Sequence, residues 1–321
     1  MIKEKLMRDV YVNFVREQIL NGDKVVALEA DLAKCSGMIT LQKEFPDRVI
    51  NVGIAEQNMA SVAAGLSAYG FIPFIHSFGP FVTRRICDQL MISICYAKQN
   101  VKIIGSDPGI TAELNGGTHM PLEDIGVLRS IPNIVIYEPT DNVEFEKILP
   151  QVLSYNGPVY VRMFRKIPPS VFDEEKNEEF DLFKAKVIKS GSDVTIVAAG
   201  IMVSEAIKAS EILEKSNISV EVIASPTIKP IDKDTIIESV KKTGLVVTAE
   251  NHNVCGGLRS AVAEVVSENY PVLLHSIGVK EKFGEVGKQA YLKNVFKMNA
   301  TDIADEVIKA IEDKRKLNSS C

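Results

Sequence analysis

Short apolar runs alternate with helical patterns along the chain: VVALEAD, VINVG, IPFIHSF, VKIIGSD, NIVIYEP and PVYVRMF before residue 165, then VTIVAAG, VEVIASP, LVVTAEN and VLLHSIG after residue 193. Runs of this length, separated by stretches long enough for helices, read as strands joined by crossover helices, which makes mostly parallel sheets. The expected fold class is α/β, with two domains, each a mostly parallel sheet flanked by helices. Between the two series lies IPPSVFDEEKNEEFDLF, rich in charge and proline and poor in periodicity, which reads as a linker. The expected division is residues 1–170, a linker over 171–190, and a second domain over 191–315. The closing DKRKLNSSC is polar and is expected to fray.

At 321 residues and 46% hydrophobic, the chain can bury two cores of ordinary size. A net charge of -5 argues against nucleic acid as the main partner, which calls for a basic face. No apolar run approaches the roughly 20 residues that span a bilayer, and no membrane association is expected. The opening MIKEKLMRDVYVNFVREQIL lacks the apolar core of a signal peptide, so the expected location is the cytoplasm. The five cysteines, Cys35, Cys87, Cys95, Cys255 and Cys321, are scattered with no CxxC pair and suggest neither a disulfide framework nor a zinc site. Cys87 and Cys95 read as buried helix residues rather than nucleophiles.

The stretch NVGIAEQNMASVAAGL, Asn51 to Leu66, carries the most specific information. Val49 to Gly53 reads as a strand end, Gly53 permits a tight turn, and Ala60, Ala63, Ala64, Ser67 and Ala68 let another backbone approach closely. Glu56 then falls in the first helical turn, where α/β folds place their chemistry. Taken alone, a carboxylate there need do no more than complement the helix dipole.

From Ile50 to Asp141 the chain resembles the pyrimidine-binding domain of transketolases and 1-deoxyxylulose-5-phosphate synthases. The matching words are GIAEQ at 53–57, FIHSFGPFVTRR at 74–85, GSDPGI at 105–110, NGGTHMPLEDIGVLRSIPN at 115–133 and EPTD at 138–141, in that order. The remainder resembles the carboxy-terminal domain of the same family, with VTAENHNVCGGLRSAVAEVV at 247–266 as its recognisable segment.

This resemblance implies thiamine diphosphate catalysis, in which the cofactor supplies the carbanion and the protein supplies orientation and proton control. Glu56 matches the family's cofactor-activating glutamate, which shares a proton with the pyrimidine N1′. Phe78 and Phe81, three apart at the entrance to a helix expected to begin near Pro80, match the aromatics around that ring, although an F-x-x-F pair by itself is more often core than cofactor box. Arg84 follows the synthase pattern and is open between a cofactor contact and a solvated helix arginine. His119 matches the histidine that contacts the donor sugar near its reacting carbon, with Gly116 and Gly117 bending the loop. Arg165 matches the arginine that holds the substrate phosphate, a task suited to its planar fork. Strand alternation places Arg162 on the opposite face. Asp31 and Asp107 are open between site roles and turn formation. His76 ends a strand beside Phe78, where it can face the site, while His252 and His275 read as structural.

Two departures bear on the substrate. Asn115 stands where transketolases place an aspartate that reads a donor hydroxyl, and Ser106 stands where many have a histidine. Asn donates as well as accepts, so the preferred donor is open to a branched, shortened or otherwise altered ketose phosphate. The family holds the diphosphate and its Mg²⁺ with a GDG segment and a later asparagine, and this chain contains no GDG. The chain therefore resembles the carboxy-terminal subunit of a split transketolase. The implied partner is an amino-terminal subunit carrying the diphosphate-binding domain and the Mg²⁺ ligands, in an α2β2 assembly inactive without it. The alternatives are a deoxyxylulose phosphate synthase-like chain, a 2-oxo acid dehydrogenase β-like subunit, and a non-catalytic scaffold.

Overall fold

The central apolar runs become strands because they are apolar on both faces, as a parallel strand covered by helices must be. In a computed structural model, which describes residues 5–176 and 178–319, the first series forms β1 (Val25–Glu29), β2 (Val49–Asn51), β3 (Ile72–Phe78), β4 (Lys102–Ser106), β5 (Val135–Tyr137) and β6 (Val159–Met163). The second forms β7 (Lys186–Lys189), β8 (Val194–Ala198), β9 (Val220–Ala224), β10 (Thr227–Lys229), β11 (Leu245–Asn253) and β12 (Leu273–Val279). They assemble into a seven-stranded sheet, β10-β5-β6-β4-β3-β1-β2, and a five-stranded sheet, β12-β11-β8-β9-β7. All pairings are parallel except β10 with β5 and β7 with β9.

These two antiparallel strands carry no apolar run, being KVIK and TIK at sheet edges. Of residues 171–190, the last stretch forms β7. β10 lies in the second half of the chain yet pairs with Ile136 and Tyr137 of the first sheet. One apolar cluster likewise includes Phe145 and Val152 with Ala206 and Leu213, so the halves share buried surface.

Two expectations are corrected. Over its described residues the closing segment is helical rather than frayed, the helix Ala300–Ser319 continuing to the last of them. Ile303, Ala304, Val307 and Ala310 form a buried stripe that anchors it, and the polar end propagates from that anchored helix. Cys95 is buried as read, but Cys87 is only half-buried. Cys321 lies outside the described residues. No helix among the described residues is long and apolar enough to cross a membrane.

The chain leaves β1 for β2 on one side and returns to β3 on the other. The carboxyl ends of β1 and β3 therefore flank a topological switch point, the crevice where open α/β sheets bind ligands.

Candidate active site

Asn51, at the end of β2, builds the first wall. Its Oδ1 accepts from the backbone N–H of Asp31 and of Gly53, both at 3.0 Å, while Nδ2 donates to Asp31 Oδ1 at 3.2 Å. This knot holds Asp31 in a left-handed conformation at φ 63° and turns the chain into the helix Glu56–Ala68. Met59, Ala60 and Ala63 are buried on that helix, the small residues allowing close approach. Glu56 opens the helix and is 5% exposed. Its Oε1 lies 2.5 Å from Nη1 of Arg85.

β3 supplies the second wall. The helix expected to begin near Pro80 instead starts at Arg84, as a 3-10 turn Arg84–Ile86, followed by Cys87–Gln89 and a π-helical Leu90–Tyr96. The reason is local: Thr83 is non-helical at φ -124° and ψ -88°, and its Oγ1 donates to Gly79 O at 2.7 Å, closing a separate turn. That turn sets the Phe78 and Phe81 rings edge to face, 6.0 Å apart. The His119 ring meets both, at 5.3 and 5.2 Å.

His119 arrives on a loop from the 3-10 turn Gly109–Asn115. Gly116 has φ 74°, and a Cβ on Gly117 would sit 2.4 Å from Gly284 O, so the loop folds against the second half where a side chain would not fit. Thr118 Oγ1 engages His119 Nδ1 at 2.9 Å. Arg84 turns away from Glu56 and donates to Glu123 Oε1 at 2.9 Å and Thr118 O at 3.3 Å. Asn115 is exposed at the end of its turn.

Past β6, Arg165 Nη2 lies 2.8 Å from Asp107 Oδ2, and its guanidinium lies 5.4 Å from the Phe78 ring centre. Asp107 is left-handed at φ 60° and 1% exposed. Burial pushes its carboxyl up, against the pull of Arg165 and Lys166. His76 is buried, with Nδ1 3.5 Å from Glu29 Oε1 across the register of β1 and β3.

Arg162 points the other way, into a buried knot between the halves. Nε donates to Asp124 Oδ2 at 2.7 Å, Nη1 to Glu138 Oε2 at 2.8 Å, and Nη2 to Pro121 O at 2.9 Å and Asn251 O at 2.8 Å. Burial works against its charge, but Asp124 and Glu138 hold it firmly protonated. His252 sits beside this knot, its Nδ1 2.6 Å from Asn253 O, and burial lowers its pKa to about 4 despite Asp124. His275 pairs with Glu306 at 2.7 Å.

The structure thus brings Glu56, Phe78, Phe81, His119, Arg165 and Asp107 to the carboxyl ends of the first sheet and leaves Asp31, Asn115 and Arg84 on exposed flanks. Sequence reasoning passed over Arg85 and Glu29. Glu29 carried a signal, an acid closing the apolar run VVALE, whereas Arg85 carried none that set it apart from Arg84.

Residues 3–169 match the family model for the transketolase pyrimidine binding domain, and residues 183–303 match that for the transketolase C-terminal domain. The chain is 48% identical, over 98% of its length and 97% of the relative's, to the 6-deoxy-6-sulfo-D-fructose transketolase subunit SqwH of Clostridium sp. (strain MSTE9). It is 38% identical to the putative transketolase C-terminal section of Methanocaldococcus jannaschii, over 96% of this chain and 97% of that one. Among solved structures, a split gene transketolase described as an inactive beta4 tetramer superposes with a TM-score of 0.87 at 39% identity, covering 97% of this chain and 100% of that one.

Proposed function

The chain belongs to the transketolase family, and on that footing we propose that it is the carboxy-terminal subunit of a split thiamine diphosphate-dependent transketolase. Its reaction would move a two-carbon ketol unit from a ketose with a terminal anion, phosphate or sulfonate, to an aldose acceptor. The sulfonate enters because the 48% identical relative is named for a sulfofructose. The partner would be an amino-terminal subunit with the diphosphate-binding domain and the Mg²⁺ ligands, in an α2β2 assembly in the cytoplasm.

The observation that carries this reading is the placement of Glu56. A carboxylate 5% exposed at a helix N-terminus, beside Phe81 through Arg85, is a donor set that fits an aminopyrimidine ring. When bound, thiamine diphosphate supplies an acidic carbon whose conjugate base attacks ketone carbonyls. Glu56 holds the proton shared with the ring nitrogen. Phe78 and Phe81 shield that proton from water. Thr118 engages His119 at Nδ1, so Nε2 is the atom that receives and returns protons at the donor's hydroxyls. Arg165, oriented by Asp107, binds the terminal anion with donors left over from that ion pair. Asn115, free to donate or accept, reads a donor hydroxyl.

Exposed apolar side chains support a partner at this rim. Ile54, two residues before Glu56, is 79% exposed, Leu114 beside Asn115 is 63% exposed, and Val286, against which Gly116 packs, is 65% exposed. The test is to co-express the chain with its diphosphate-domain partner and measure ketol transfer, with thiamine diphosphate and Mg²⁺, from ketoses ending in phosphate or sulfonate. Transfer by the mixture and by neither subunit alone is expected. Consumption of pyruvate instead would move the chain to the synthase or dehydrogenase alternatives, and a stable, cofactor-loaded complex without turnover would favour a scaffold.

A further inference from the structure

Arg84 and Arg85 are consecutive arginines in one 3-10 turn, yet their side chains diverge, as neighbours in such a turn must. Arg84 leaves for Glu123. The backbone N–H of Arg85 donates to Pro80 O at 3.2 Å, closing the turn that carries Phe81. Its guanidinium then folds back over that ring, with Cζ 3.7 Å from the ring centre, and extends Nη1 to within 2.5 Å of Glu56 Oε1. Glu56 belongs to a different element, the helix Glu56–Ala68. Arg85 is thus bound at both ends to the groups that, on the reading above, receive the pyrimidine ring.

We propose that Arg85 is the positioning residue of the cofactor site, clamping the Glu56 carboxylate and the Phe81 ring in one geometry before the cofactor arrives. The proposal rests on the functional reading of Glu56 and adds a residue to it. Three physical features favour a clamp over a solvated surface arginine. A nearly buried carboxylate at a helix terminus needs a charged or hydrogen-bonding partner, and Arg85 is that partner. A planar, weakly hydrated guanidinium can lie on an aromatic face and donate at its edge at the same time, which an ammonium cannot do. A side chain that is 42% exposed gives up conformational freedom to hold this pose, so the two contacts together must outweigh that entropy.

The experiment uses the complex of this chain with its diphosphate-domain partner and titrates thiamine diphosphate, at fixed Mg²⁺, by calorimetry. Arg85→Met removes the charge and the fork while keeping bulk; Arg85→Lys keeps the charge and loses the fork. Arg85→Met is expected to weaken cofactor binding by about tenfold or more, a loss of the order of one charge-assisted hydrogen bond. Arg85→Lys should fall between Met and the parent. At saturating cofactor the donor KM should stay within about twofold, since the clamp touches the cofactor side of the site. The melting midpoint of the chain alone should fall by less than would account for the lost affinity, because water reaches Glu56 where the half-exposed Arg85 side chain leaves. Cofactor binding by Arg85→Met that equals or exceeds the parent overturns the proposal, as does a fall in melting midpoint that accounts for the lost affinity. Glu56→Gln separates the two levels: if it cripples turnover while Arg85→Met is silent, only the clamp fails, whereas silence in both defeats the reading of Glu56 itself.

Discussion

Arg162 and Arg165 stand three residues apart at the end of one strand and meet opposite fates. Arg162 is fully buried, and its three nitrogens make four hydrogen bonds, to Asp124, Glu138, Pro121 O and Asn251 O. Arg165 has one ion pair, to Asp107, and lies near the Phe78 ring. A guanidinium offers five N–H donors. Where the fold consumes them, the charge is structural; where it uses one ion pair and leaves the rest uncommitted, the charge is available to a ligand. The same contrast separates the buried knot between the halves from the rim at the carboxyl ends of the first sheet.

The most severe way to test this contrast is Arg162→Met. Removing one member of a buried ion network strands Asp124 and Glu138, so the chain should lose about 3–5 kcal/mol in chemical denaturation. A loss below about 1 kcal/mol would mean that the knot is not holding the halves together. Glu56→Gln addresses the rim: ketol transfer by the assembled complex should fall by about 10²-fold or more while the melting midpoint stays put. Arg165→Ala should raise the donor KM by about tenfold or more with kcat largely kept, because it removes binding to a distant anion. If kcat falls instead and KM does not, Arg165 acts at the reacting carbons and the contrast with Arg162 needs another basis.

A separate, pH-dependent effect concerns the buried acid Glu144, which accepts from the Tyr137 hydroxyl and the Thr140 backbone N–H. Burial raises Glu144 from the ordinary 4.5 to about 7, against hydrogen bonds from Thr140 and Tyr137. The folded state therefore holds this proton more tightly than the unfolded chain. Its stabilisation is fully present below about pH 4.5 and is lost as pH rises to about 7. Glu144→Gln should flatten that part of the stability curve, measured by denaturant midpoints across the window. An unchanged slope would place the titration elsewhere.

Much of the first sheet was legible because an apolar run is a local property. The runs that became β3, β4 and β6 are mostly apolar, and Glu56 stood out because a lone acid followed a strand end and a glycine. β7 and β10 were not legible, since KVIK and TIK carry lysines and acquire strand character only from the edges they join. The start of the helix after Phe78 was misread for a similar reason. Nothing in GPFVTRR declares that Thr83 bonds back to Gly79 and delays the helix to Arg84.

The sequence by itself determined an α/β chain with two sheets, a transketolase-like motif order, and an acid, two phenylalanines, a histidine and an arginine as the candidate chemistry. Only the tertiary structure decided which of two adjacent arginines reaches Glu56, which of two arginines near the end of β6 stays available, and that His76 is buried against Glu29. The physical reason is that periodicity is written into neighbouring residues. The fate of a charge depends instead on how many of its donors are met by groups more than twenty residues away, as Glu56 meets Arg85 and Asn251 meets Arg162.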